Sequence, residues 1–598
     1  MFKSAIKYLL LAATLMLAPS VASAAASYPF IKPSIAAVEA LRAACGTTVA
    51  GVWIPNVGHY AWNGSSTATP SDQIIQCTGV ATGRMIIDPG PLALASITAM
   101  QNLPGVTTYQ KVFVSAIQGG DFVYEACGGA FQPNCTANDI TTFSSTNASY
   151  VWLRQPSING VYSGPFVTPQ MAGAYGDGAH DDGAALNAAL AYEGSLPHGG
   201  AVFCPAGQYN TSVSISVPSL VAFYGPNIPG PSSPTTALTS GSCVIAPTTD
   251  VNGLSMTRLA SGNNSGIAAH DIEVVYPSAS GFTLSDGVYM NNQVGDRIDR
   301  IFVFRAPRDG FHLDGTTNSY HNYFSDDYSN NAARYSYYND GQWTRCINCV
   351  ADGGTYGFYN DTGGLEVHIE RSHFEGPSNT GIYSGATYDA LWIENNYIND
   401  PANVGMINGI NVSANNAAFI NNNQVDKPND AIGSSGLSVG NGSTSLTSIV
   451  TANNVTGFQT GLSSGSYNII TNNVISSSGG NTGNDIYISG TQVILSGNNT
   501  IATVAGGNSL NCNGTGHLEG MNSFDASTVI SCSAVFGTTA SAFKEAPLTF
   551  ASLPVCNAAA KGYIYYVSDG TATGWNAAVA GSGTGIVAQC NGTSWVAE

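Results

Sequence analysis

From about residue 287 onward, short apolar runs alternate with Gly, Asn and Ser at a near-constant spacing. A glycine followed by an apolar residue recurs as Gly287-Val288, Gly310-Phe311, Gly357-Phe358, Gly381-Ile382, Gly409-Ile410, Gly436-Leu437 and Gly461-Leu462. The steps are 23, 47, 24, 28, 27 and 25 residues, the 47 counting as two turns. A second column, out of phase with the first, runs Ile347, Ile369, Ile393, Ile420, Val450, Ile470 and Leu495, in steps of 22, 24, 27, 30, 20 and 25. Short β-branched runs broken by turn residues at this period are a solenoid signature. The LxxLxL spacing of leucine-rich repeats is absent, and no helical periodicity links the runs. Each turn therefore reads as two or three short strands joined by tight corners. Asn396, Asn423, Asn453, Asn473 and Asn498 each lie three residues after the second column. Asparagine tolerates left-handed backbone and can hydrogen-bond to its own kind one turn away. The fixed offset predicts an asparagine ladder at one corner of coils about 4.8 Å apart. The expected fold is all-β, a parallel β-helix (single-stranded solenoid), with small N- and C-terminal regions.

Upstream, the pattern changes once. In GAYGDGAHDDGAALNAAL (Gly173 to Leu190), Leu186, Ala189 and Leu190 form a short helical face that Asp181 and Asp182 can cap. It is followed by GGAVFCPAGQYNTSVSISVPSLVAFYG (Gly199 to Gly225). The run DG-x-x-DD-x-x-A-x-x-x-A with its GG…FxPxGxY sequel resembles the opening of the pectate-lyase superfamily, rhamnogalacturonase- or epimerase-like. That resemblance implies a right-handed helix whose first coil is covered by a short capping helix, and a structural role for Asp177, Asp181 and Asp182. The sequence departs from the family at Gly183, where Thr or Ser is common. The chain divides into 1–24 (signal peptide), 25–168 (N-terminal region), 169–540 (β-helix) and 541–598 (small Cys-containing module). The last resembles modules at the ends of phage tail-type and bacterial surface proteins.

Composition then restricts the partners. Lys3 and Lys7 precede an apolar Tyr8–Ala18 stretch and an Ala22-Ser23-Ala24 cleavage site, the pattern of a secretory signal peptide. Export places the chain outside the cell or in the periplasm. No later run is long and apolar enough for a membrane helix. Without the two leader lysines the net charge moves from −19 to −21, which excludes a nucleic-acid partner. The twelve cysteines suit disulfides in an oxidising compartment. Proximity suggests Cys45–Cys77, Cys127–Cys135, Cys204–Cys243, Cys512–Cys532 and Cys556–Cys590. Cys346 and Cys349 read as a local disulfide rather than a zinc or redox pair, and no metal or cofactor is expected.

The chemistry concentrates in the early coils. The residue after each inward apolar position should point outward, giving Tyr289, His312, Tyr359 and Tyr383 as a column of rings on which sugars can stack. Seven of eleven arginines, Arg345 and Arg371 among them, and His368 crowd into the same turns. A groove for a polysaccharide, an anionic one among the candidates, accounts for rings and arginines together; isolated surface ion pairs are the plainer alternative. RDGFHLDG (Arg308 to Gly315) followed by SDD (Ser325 to Asp327) resembles elements of polygalacturonase-type hydrolases, which implies Asp309, Asp326 and Asp327 as catalytic. Asp314 and Asp361 complete the candidate acids. Lyase or C5-epimerase chemistry would instead draw on His312, His368, Arg345 and Tyr359. The expected function is polysaccharide degradation, hydrolysis ahead of elimination, against a non-catalytic glycan-binding surface protein.

Overall fold

The computed structural model describes residues 92–103, 111–127, 136–155, 166–227, 241–257, 266–277, 281–315, 319–386, 390–402, 405–413, 417–428, 433–440, 447–476 and 483–501. It also describes 508–512, 548–558, 563–572, 577–583 and 585–597, and short pieces, mostly strands, elsewhere. The signal-peptide expectation lies outside the described residues. Contacts divide the chain into one unit of 1–137 with 143–155 and another of 138–142 with 156–598. The first holds two five-stranded sheets. One of them surrounds Met100, Val112, Val114, Phe122, Tyr124, Phe143 and Trp152. The buried Arg154 lies over the Phe122 ring and donates to the carbonyls of Gln118 and Gly119.

The second unit is the parallel β-helix. A 24-stranded sheet carries two strands of each coil and a 13-stranded sheet carries the third. No α-helix follows Gly194 among the described residues. The capping helix spans Gly183–Gly194 and buries Leu186, Ala189 and Leu190. Asp182 stands at its N-cap, but its carboxylate accepts from Tyr175 and Gly176 (2.7 and 2.9 Å) and so ties down the preceding segment. Asp181 accepts from Gly183 instead. A Cβ at Gly183 would lie 2.8 Å from Val213 Cγ2, so a Thr or Ser there would require the exposed Val213 side chain to shift.

The glycine column starts the strands of the 13-stranded sheet. At Gly381 a Cβ would meet Ile398 Cγ2 at 2.3 Å, so the backbone there packs directly on an inward side chain. The double step contains the strand Tyr335–Asn339, with Ser336 in place of glycine. The ladder Val288, Phe311, Tyr337, Phe358, Ile382, Ile410, Leu437 and Leu462 is continuous and buried. In the second column the structure corrects one member: Cys346, not Ile347, pairs with Ile369. Cys346 turns inward because it is disulfide-bonded to Cys349 in the core.

At the corner after this column the later coils place a left-handed residue, then a buried asparagine. Asn395, Asn422, Ala452 and Asn472 have φ of 59°, 53°, 56° and 56°. Asn396 then donates to the next ladder member, Asn423, and Asn423 to Asn453, Asn453 to Asn473 and Asn473 to Asn498, each Nδ2–Oδ1 contact at 2.9 Å. Asn522 adds a further rung beyond those expected.

Cys204–Cys243, Cys346–Cys349 and Cys556–Cys590 are disulfides. Cys127 and Cys512 are also bonded, and Cys512 faces Cys532 in register. The Cys45–Cys77 and Cys127–Cys135 expectations rest on residues outside the described ones. Near the C-terminus, Ile564–Val567, Ile586–Cys590 and Trp595–Ala597 form a three-stranded sheet over Val567, Ala588 and Trp595.

Candidate functional site

Five consecutive strands of the 13-stranded sheet build the site: Val288–Asn291, Phe311–Asp314, Tyr335–Asn339, Tyr356–Asn360 and Thr380–Ser384. Alternation sends the residue after each core position outward. Those residues, Tyr289, His312, Tyr338, Tyr359 and Tyr383, stand in register. Successive ring centroids are 5.4, 4.4, 5.9 and 4.8 Å apart. The four expected rings thus share one column, and Tyr338 is the member that the double step concealed. The column is less exposed than expected. The tyrosines are half-buried and His312 is buried, because neighbouring rings cover one another's faces.

Three residues before each ring lies a leading column of Asp286, Asp309, Tyr335, Tyr356 and Thr380. Asp286 takes both ends of Arg308, with Nε at 2.8 Å. Asp309 takes both ends of Arg334, with Nε at 2.9 Å. Each carboxylate also accepts the backbone N–H of the next coil, from Asp309 (3.1 Å) and Tyr335 (3.2 Å). His312 Nδ1 is 2.7 Å from Asp309 Oδ2, so a neutral ring keeps its proton there and leaves Nε2 as an acceptor. Burial acts to raise Asp309, but Arg334 and His312 outweigh it and hold the carboxyl below its ordinary value. At Asp286 burial prevails over Arg308, and its value is raised. Atoms of Asp286, Asp309 and His312 lie within 4.8 Å of one another, close enough to suggest a metal centre. They do not fit one: two guanidinium groups already occupy and neutralise the carboxylates.

Two residues after each ring lies a trailing column of Asn291, Asp314, Asp340, Asp361 and Gly385. The hydroxyl of Tyr289 donates to Asp314 (2.9 Å) and that of Tyr338 to Asp361 (2.7 Å), one coil on in each case. Thr362 N–H also donates to Asp361, and Gly363 N–H to Asp340, both at 2.8 Å. Asp340 is 4% exposed. Burial pushes its carboxyl up, and the charges of Asp361 and Asp314 push it further. Behind this column Asn339 donates to Asn360 (2.7 Å) and Asn360 to Ser384 (3.1 Å), a short buried amide ladder that fixes the turns. Burial, then Asp314, pushes Tyr289 up to about 12. Tyr338 and Tyr359 are raised as well, burial first. Tyr289 and Tyr338 act as hydrogen-bond donors, and none of the three phenols is a ready base.

The remaining sequence candidates lie elsewhere. Asp326 is exposed at a left-handed corner (φ 56°) and accepts from Asn348 at 3.0 Å. Asp327 follows it into the core at the corner that carries the asparagine ladder in later coils. It accepts from Ile301 (2.8 Å) and Ser325 (2.9 Å), and burial raises its carboxyl well above the ordinary range. Arg345 and His368 stand on the 24-stranded sheet, where His368 stacks on Trp392 at 4.1 Å. Arg371 is a left-handed corner residue of the same sheet. The structure therefore gathers Asp309, Asp314, Asp361, Tyr289, His312, Tyr359 and Tyr383 on one face. Asp326, Asp327, Arg345, His368 and Arg371 stay outside it. Sequence reasoning missed Asp286 and Tyr338, and it counted Arg308, Arg334 and Asp340 in the charged cluster of the early turns without giving them a site role. The available signal was offset: Asp recurs three before and two after the ring position.

Residues 170–407 match the family described as Rhamnogalacturonase A/epimerase, pectate lyase-like. No curated protein matches the sequence. Among solved structures, the chain is similar to the tailspike protein gp49 of Acinetobacter baumannii bacteriophage Fri1, a capsular polysaccharide depolymerase. Identity is 13%, covering 80% of this chain and 81% of that one, with a TM-score of 0.46. The A-module of Azotobacter vinelandii mannuronan C-5 epimerase AlgE6 is 13% identical over 62% of this chain and 100% of its own, with a TM-score of 0.38. The gp42 tailspike of Acinetobacter phage vb_AbaP_AS12 is 11% identical over 84% and 86%, with a TM-score of 0.47. With its coils and capping helix, the chain carries a parallel β-helix that, over residues 170–407, is similar to the pectate-lyase-like rhamnogalacturonase A/epimerase family.

Proposed function

We propose that this chain binds a polysaccharide along the five-coil face and cleaves it as a glycoside hydrolase, with Asp340 as proton donor and Asp314 as nucleophile. The observation that carries this reading is Asp340, a buried and raised carboxyl one coil from both Asp314 and Asp361 and beside a column of rings. Coils are about 4.8 Å apart, close to the roughly 5–5.5 Å between carboxyl groups of a retaining glycosidase. Asp340 gives its proton to the glycosidic oxygen while Asp314 attacks the anomeric carbon. The protonated sugar leaves; water then attacks the anomeric carbon of the glycosyl-enzyme ester as Asp340 takes a proton from it, and the bond to Asp314 breaks to release the second product. Burial, and then the charge of Asp361, which Tyr338 and Thr362 hold in place, raise the carboxyl of Asp340 and favour its acid role. Tyr338, Tyr359 and Tyr383 offer flat faces on which sugar rings stack. The family match supports a glycan substrate, and the disulfides suit action outside the cell or in the periplasm. One observation favours elimination instead: His312, oriented by Asp309, has Nε2 available as a base.

The test is incubation of the full chain with a panel of polysaccharides. Hydrolysis yields new reducing ends without the ultraviolet absorbance of an unsaturated uronate, and the first product keeps its anomeric configuration. Asp340→Asn and Asp314→Asn should each lower turnover by about 100-fold or more with folding retained. Unsaturated products that vanish in His312→Gln would move the assignment to a lyase. Binding without cleavage of any polymer would leave a glycan-binding protein.

A further inference from the structure

The charge on this face is unevenly placed. On the leading side Asp286 and Asp309 are matched one to one by Arg308 and Arg334, each guanidinium clasped by a carboxylate. On the trailing side Asp314, Asp340 and Asp361 follow one another on successive coils. The hydrogen bonds given to these three come from the phenols of Tyr289 and Tyr338 and from the backbone of Thr362 and Gly363. With Asp340 holding the proton it donates, four carboxylates against two arginines leave the face two negative charges in excess, borne by Asp314 and Asp361. Arg345 and Arg371, two of the seven arginines that suggested an anionic ligand from sequence, belong to the other sheet. Like charges brought together without water cost several kcal/mol and are a means of excluding a ligand.

Resting on the glycan reading above, we propose that the glycan taken by this face is neutral or carries amino groups, and that the Asp314, Asp340 and Asp361 column excludes carboxylated and sulfated chains. Arg308 and Arg334 set the rings in place and do not recruit an anion, because each spends its fork on an aspartate. A sugar hydroxyl or ammonium donates to the trailing carboxyl oxygens. A uronate in that position meets them with its own lone pairs.

The full chain, with labelled wild type beside an Asp314→Asn/Asp340→Asn/Asp361→Asn triple variant, is applied to an array of matched neutral, amino-bearing, uronate-bearing and sulfated glycans. Melting temperature confirms folding of both. Wild type should bind neutral or amino-bearing members at least about tenfold more tightly than their uronate partners. Binding to amino-bearing members should weaken as salt rises, and the triple variant should narrow the gap. Preference for uronate or sulfated members, with or without added calcium, overturns the charge assignment while leaving the glycan reading intact. An array with no bound member of any charge removes the glycan reading, and this inference falls with it. Should the triple variant not fold, Asp314→Asn alone and the wild-type ranking decide the matter.

Discussion

Ala452 occupies the left-handed corner that asparagine holds in neighbouring coils, where Asn422 Nδ2 already donates to Asn395 Oδ1 at 2.8 Å. A side chain with a Cβ is costly in that region unless, as with Asn, a local hydrogen bond offsets it. Ala452→Asn should therefore stabilise the protein by about 0.5–1 kcal/mol, read as a rise in denaturation midpoint at unchanged slope. Asp309 presents the opposite case. Sequence reasoning treats it as a catalytic acid. The structure places it fully buried under Arg334, His312 and the Tyr335 N–H. Asp309→Asn should cost about 2–4 kcal/mol, towards the lower end because Arg334 is partly in solvent. With its value depressed, Asp309 contributes stability that is present above about pH 4 and lost as pH falls through the folded-state value. The variant should therefore show a shallower acid limb in urea denaturation. An unchanged melting temperature would return Asp309 to the list of free groove acids.

At the scale of elements, the corner ladder binds coil to coil. Asn453 donates to Asn473, Ile420 and Thr451 and accepts from both the backbone and side chain of Asn423. Asn453→Ala strands several buried partners at once, so a loss of about 3 kcal/mol or more is expected. The loss should appear as faster amide exchange in the coils on either side. If exchange quickens no more there than in the Tyr338 strand, the ladder is not the local tie. The same logic explains why SDD misled: Asp326 is the left-handed residue and Asp327 the ladder residue of an early coil, positions that Asn395 and Asn396 fill later. Asp327→Asn should cost about 1–3 kcal/mol, since its NH2 cannot accept the backbone N–H of Ser325 that the carboxyl group satisfies. Strand periodicity made the ring column legible. The coil with Ser336 in place of glycine hid Tyr338 and, two residues on, Asp340.

Across the whole molecule, two buried glutamates set a slope opposite to that of Asp309. Burial pushes Glu193, on the capping helix, and Glu273, on a strand of an early coil, up to about 7 each. A raised folded value means stability that is full below the ordinary 4.5 and lost as pH rises through about 7. Melting temperature should therefore fall between about pH 4.5 and 7.5, and Glu193→Gln and Glu273→Gln should each flatten that fall; an unaltered slope in both would assign it to other groups. The sequence by itself determined the solenoid, its period, the inward and outward residues of the long sheet and the asparagine corner, because these follow from local repetition of residue type along one chain. It also placed the capping helix, through the spacing of three alanine-or-leucine contacts after an Asp pair. Which acids share a face was decided only by tertiary structure. Asp309 and Asp314 are five residues apart yet lie on opposite sides of one ring column. Asp314, Asp340 and Asp361 are more than twenty apart in steps and lie on adjacent coils. Asp326 and Asp327, only twelve and thirteen residues from Asp314, turn a corner onto another sheet. Outside the asparagine corner, the connections between sheets vary in length from coil to coil; that variable length sets these neighbours and the placing of Arg308 and Arg334 against Asp286 and Asp309, and it carries no periodic signal that a chain read in one dimension can reveal.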